Sequence, residues 1–72
     1  MEMKEIFSER FKSARLMKGF SLQDLADALD NQLSRQALHH YEKGEVMPDN
    51  DKINLLSKAL GVNPDFFFRN TN

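Results

Sequence analysis

Apolar residues return at helical intervals in successive blocks along the chain. Phe7, Phe11 and Ala14 recur three or four apart, as do Leu22, Leu25, Ala26 and Leu29. Leu38 and Tyr41 repeat the spacing, Ile53, Leu56 and Leu60 line a further block, and Phe66, Phe67 and Phe68 stand together near the end. A period near 3.6 argues amphipathic helix, and no stretch alternates at period two, so no strand is expected. The pattern predicts an all-α chain with helices over about 4–18, 22–30, 35–43, 50–60 and 64–69. Punctuation agrees with these limits. Gly19, Gly44 and Gly61 each follow a helical block, where a left-handed residue ends a helix at little cost. Ser21, Ser34, Asp49 and Asn63 stand where N-caps belong, and Pro64 takes a first helical position.

The segment from Ser21 to Gly44 is the most informative. It holds two short amphipathic helices joined by a tight polar turn. In the second of them Leu38 and Tyr41 must face inward, so at about 100° per residue Gln36, His40 and Lys43 point outward. Arg35 sits at the exposed first turn, where free N–H groups and the helix dipole both favour an anion. The side chains suit base edges. Glutamine pairs with adenine N6 and N7, and arginine with guanine O6 and N7, each such pair discriminating by about 1–3 kcal/mol. Ser34 can hydrogen-bond a phosphate or a base, and Lys43 can reach a backbone phosphate. A polar outer face is what any surface helix presents; the short helix packed before this one is what raises DNA binding to the leading hypothesis.

Composition changes that picture only at the margins. Seventy-two residues make at most one domain, with net stability limited to roughly 3–5 kcal/mol. Cysteine is absent, which removes disulfides and thiolate metal sites. No apolar run reaches the roughly 18 residues of a membrane span and no secretory h-region is present, so a reducing, cytoplasmic setting fits best. The net charge of −1 weighs against a nucleic-acid binder, but its distribution weighs for one. Lys4, Arg10, Lys12, Arg15 and Lys18 fall in the first block and Arg35 and Lys43 in the third, whereas Asp24, Asp27, Asp30, Glu45, Asp49 and Asp51 gather elsewhere. Other chemistry has little support. His39 and His40 diverge by about 100° on a helix and cannot share an ion, and His39 with Glu42 lacks a third ligand. No nucleophile–base arrangement and no glycine-rich phosphate loop is present, so neither an enzyme nor a cofactor is expected. The mixed charge of the first block argues against membrane association.

These residues together resemble the Cro/CI-type helix-turn-helix domain, also called XRE-like or lambda-repressor-like. The matching features are Arg15 with Lys18-Gly19, then Ser21, Leu25-Ala26, Leu29, Leu33-Ser34, Leu38, Tyr41-Glu42, Gly44 and Pro48. Ile53, the run from Lys58 to Val62 and Asp65 complete them. The resemblance implies a compact five-helix bundle over residues 1–72, with the motif at 21–44. It also implies a repressor that occupies a palindromic operator in double-stranded DNA as a homodimer, its third helix in the major groove. Carried over by position, Arg35, Gln36 and His40 match base-reading sites, Ser34 a phosphate- or base-contacting site, and Lys43 a position near the backbone. His39 completes the set on this helix. The same resemblance pairs Arg15 with Glu42, tying the first helix to the third.

Two departures stand out. The family usually has a single glycine between the residues matching Leu29 and Leu33; this chain has Asp30-Asn31-Gln32, and Asp30 or Asn31 is expected to take the left-handed conformation instead. Leu22 stands where many members place a phosphate-binding glutamine, so Gln23 is the candidate for that role from a shifted position. The ending, GVNPDFFFR, resembles the segment just after the motif in a subgroup fused to a metallopeptidase-like domain, which would make this chain the N-terminal part of a longer protein. Phe67 is expected inside, with Phe66 or Phe68 partly exposed. That exposure suits a dimer contact or docking of a downstream domain or protein partner at Phe66–Phe68; a frayed hydrophobic terminus explains it equally. The rival function is a protein-interaction module or antitoxin-like adaptor with weak or no DNA binding.

Overall fold

The computed structural model describes residues 2–69. Four α-helices run in order: α1 Met3–Lys18, α2 Leu22–Ala28, α3 Arg35–Glu42 and α4 Asn50–Leu60. A 3-10 helix follows at Pro64–Phe68, and no strand occurs among the described residues. The fifth helix expected over 64–69 is therefore a single tight turn and not an α-helix. Asn63 starts it, accepting from the Asp65 N–H through its side chain and from the Phe66 N–H through its carbonyl, both at 2.9 Å. Five residues beginning with proline leave almost no room for the i→i−4 bonds of an α-helix.

Three of the four α-helices begin on a side-chain cap. Ser21 Oγ accepts from the Asp24 N–H at 3.0 Å while Asp24 returns the bond to the Ser21 N–H at 2.9 Å. Ser34 accepts from the Ala37 N–H and Asp49 from the Lys52 N–H, each at 3.0 Å. Caps of this kind contribute about 1 kcal/mol each.

All four helices end by the same device. The N–H of the residue after the left-handed one reaches back to a carbonyl five positions earlier, and the left-handed residue's own N–H closes a shorter loop inside. In α3 these bonds run from Glu45 to His40 and from Gly44 to Tyr41, both 3.1 Å. In α2 they run from Asn31 to Ala26 and from Asp30 to Asp27, both 3.0 Å. Here the left-handed residue is Asp30, φ 54°, and Asn31 follows at φ 60°. Aspartate and asparagine tolerate that region better than other side chains, because their short polar groups bond locally. The turn is thus closed without glycine.

The core is built around aromatic rings. Phe7, Phe11, Phe67, Leu25, Leu38 and Leu56 are fully buried. Phe7 stacks on Phe11 with ring centroids 5.6 Å apart, meets Tyr41 edge-on at 6.4 Å and lies 5.2 Å from Phe67. Each buried phenylalanine contributes roughly 1.5–3 kcal/mol of transfer free energy. The 3-10 helix faces α1: Phe67 enters the core while Phe66 and Phe68 stay half-buried beside it. Arg10 secures the contact, its guanidinium carbon 4.3 Å from the Phe66 ring centroid and its Nε donating to the Phe66 carbonyl at 3.2 Å.

Candidate nucleic-acid interface

α3 is eight residues long and anchored from its inner side. Leu38 and Tyr41 are buried, Leu38 completely. Arg35, Gln36, His39, His40 and Lys43 are exposed, as is Ser34 at its start. The Ser34 hydroxyl uses an oxygen lone pair to cap α3, which leaves its proton to donate outward. None of the five ion pairs among the described residues involves Arg35, so its full set of donors is available to an incoming anion or base edge. The N-terminal end of α3 therefore offers free N–H groups, a dipole and one uncommitted guanidinium in the same place.

The residues further along α3 are less free. The His40 imidazole is hydrogen-bonded through Nδ1 to Glu45 Oε1. Lys43 Nζ lies 3.5 Å from the other oxygen of that carboxylate. The Glu45 carboxyl is held below its ordinary value, first by the His40 hydrogen bond and then by the Lys43 charge. By sequence Glu45 counts among the acids set apart from the basic positions, and the structure corrects this by placing its carboxylate against His40 and Lys43. Its signal was nonetheless present, since the closing turn at Gly44 returns the next residue against the one five positions earlier. The His39 ring is 6.3 Å from that of His40 and tilted by 54° to it. Gln23 lies on α2 and its amide donates to Asp27 Oδ1 at 3.0 Å. The structure thus brings Ser34, Arg35, Gln36, His40 and Lys43 onto the outer side of one helix and leaves Gln23 tied to its own.

Behind the face stands the Arg15–Glu42 ion pair. Arg15 donates from Nε to Glu42 Oε2 at 2.9 Å and from Nη2 to Oε1 at 2.7 Å. Its Nη1 donates to the Phe20 carbonyl at 2.7 Å. The two side chains are only 11% and 12% exposed. One guanidinium therefore joins α1, the α1–α2 connection and the last residue of α3 with a bidentate, planar geometry that lysine cannot reproduce. The pair fixes how α3 is presented.

The acids of α2 and α4 are largely occupied. Asp24 is held below the usual carboxylate range by the Ser21 N–H and then by the Ser21 hydroxyl. Asp49 is lowered by the Lys52 N–H and by the Lys52 ammonium, 3.1 Å away. These carboxylates serve helix starts and are spent on local bonds. No group of three or more histidine, aspartate and glutamate side chains converges on a metal-sized site among the described residues, and no described helix is long and apolar enough to cross a membrane.

Comparison with known proteins bears on this geometry. A family model described as Helix-turn-helix matches residues 11–67. The SPbeta prophage-derived HTH-type transcriptional regulator YonR of Bacillus subtilis (strain 168) is 41% identical over 66 residues. The match covers 92% of this chain and 59% of that relative, so the chain spans less than two thirds of the relative's length. No solved structure matches the chain.

Proposed function

Because the chain belongs to the helix-turn-helix family, XRE-like in type, we propose that it is a sequence-specific DNA-binding transcriptional regulator. It acts in the cytoplasm as a repressor, occupying a palindromic operator as a homodimer. Residues 1–72 form one helix-turn-helix domain, with the motif at 21–44 and α3 in the major groove. One observation carries the reading: the capped start of α3 exposes Arg35 and Gln36 together while Leu38 and Tyr41 lock the opposite side into the core. Arg35 and Gln36 read bases, Ser34 donates to a phosphate or base, and His40 reads one turn further on. Lys43 contacts the backbone and His39 flanks it. Gln23 serves a phosphate through the second N–H of its amide, the first being given to Asp27.

An NMR titration of the labelled domain with a short duplex at low salt tests this. Shifts should gather on residues 34–43 and reverse with added salt, because phosphate contacts release counterions. No shifts on α3, even at millimolar DNA, would refute the reading in favour of a protein-interaction module, whose apolar contacts depend far less on salt.

A further inference from the structure

The exposed side chain of Glu45 lies outside every helix, yet it is bound to His40, one turn beyond Gln36 on the outer side of α3. Two independent features put it there. The backbone closure of α3 brings the Glu45 N–H to the His40 carbonyl at 3.1 Å. The Glu45 carboxylate then meets His40 Nδ1 on the same side. The turn itself is tightly set. Gly44 has φ 75°, and a Cβ there would come 3.4 Å from Ser8 Oγ and 3.6 Å from the Lys4 carbonyl of α1.

The chemistry of the bond assigns a tautomer. An ionised carboxylate has only acceptors, so the nitrogen facing it must carry the proton. A neutral imidazole has one proton, and with Nδ1–H committed to Glu45 the outward Nε2 is a bare acceptor. In the major groove an acceptor selects the amino groups of adenine N6 and cytosine N4. Protonation places a hydrogen on Nε2 and turns the same atom into a donor, suited to guanine O6 and N7. The groups facing His40 are Glu45, Lys43 beyond it and the His39 ring on α3, while α1 meets the turn at Gly44 through the Ser8 hydroxyl and the Lys4 backbone carbonyl.

Building on the DNA reading above, we propose that Glu45 is a specificity-positioning residue. It holds His40 with its Nε2 lone pair toward the groove, so that His40 reads a base amino group when neutral and a guanine edge when protonated.

The test has two readouts, and the first needs no DNA. Long-range 1H–15N NMR of the labelled chain, about two pH units above the ordinary imidazole value of about 6.5, reports the tautomer of each histidine. His40 should be Nδ1–H in the wild type, and in Glu45→Gln that preference should weaken, because an amide can donate to Nδ1 as well as accept from it. His40 should move toward Nε2–H in Glu45→Ala. Glu45 is exposed and its backbone bond survives substitution, so the variants fold. The second readout is selection from randomised duplexes at the same pH. Wild type should favour an amino-bearing base at one position on the order of tenfold, with the preference lost in Glu45→Ala and moved toward guanine at low pH. An Nε2–H His40 in the wild type, or a tautomer indifferent to Glu45→Ala, overturns the proposal. The assigned tautomer combined with unchanged base preference overturns the specificity role. If no duplex binds, the proposed function fails and the base-reading role with it, a result distinct from a failure of the tautomer.

Discussion

Removing the Glu42 carboxylate should destabilise the domain far more than loss of a surface charge would. In Glu42→Ala the Arg15 guanidinium keeps its bond to the Phe20 carbonyl and loses two others, at 2.9 and 2.7 Å. Hydrogen bonds to charged groups contribute about 1.5–3 kcal/mol each, and stranding one partner of a buried pair costs about 3–5 kcal/mol. With about a tenth of each side chain exposed, some water reaches the stranded charge, so the expected cost lies at the low end, about 3 kcal/mol. A domain of this size holds only roughly 3–5 kcal/mol in total, so the variant should keep only about 0–2 kcal/mol and range from half unfolded to marginally folded at room temperature. Urea unfolding followed by circular dichroism reads this directly. With a slope near 1 kcal/mol per molar, the midpoint should fall by about 3 M. The double variant Arg15→Met with Glu42→Leu strands no charge and should be more stable than either single change. A single-variant cost below about 1 kcal/mol, the range of an exposed pair, would refute the reasoning. So would a double variant whose cost equals the sum of the two singles.

Three further outcomes are expected. The carboxyls of Asp24 and Asp49 are depressed by their cap bonds, so the stability they provide is present above their ordinary value of 3.8 and is lost as pH falls through their lower folded values; a melting temperature that stays level below that value would contradict this, and Asp24→Asn should weaken the acid dependence. At the left-handed turn, Asp30→Gly should leave stability the same or raise it by under about 1 kcal/mol, whereas Asn31→Val should cost about 1–2 kcal/mol in urea unfolding, and equal midpoints would show the turn to be unstrained. On DNA, Gln36→Ala should relax base preference with folding intact, whereas Lys43→Ala should weaken all duplexes alike and lower the salt slope by about one; measured affinities over a mutated operator series at several salt concentrations separate the two.

The helices were legible because their apolar spacing and their capping residues agree. Leu38 and Tyr41 alone were enough to say which side of α3 would face out, since burying two residues three apart fixes the helix rotation. The end of the chain was harder. Three adjacent phenylalanines carry no periodicity, so a 3-10 turn and an α-helix cannot be told apart from them. Gln23 looked free by position, yet Asp27 lies four residues on, a spacing that favours the bond seen in α2. Helix periodicity says nothing of Glu45, which lies beyond the end of α3 and reaches His40 only because the chain folds back at Gly44. The Asp30–Asn31 turn was anticipated from side-chain chemistry, but that both residues would be left-handed depended on closing α2 and entering α3 within six residues.

The aromatic core sets where this domain can be cut. The family model covers residues 11–67, but Phe7 is fully buried against both Phe11 and Phe67, and Phe68 lies 6.4 Å from Phe7. A fragment trimmed to the matched residues would start in the middle of α1 without the ring that joins the first helix to the last turn. It would also lose Arg10, which clasps Phe66. Expression boundaries for this domain should therefore follow the stacked rings, extending at least a full turn before Phe7 and past Phe68.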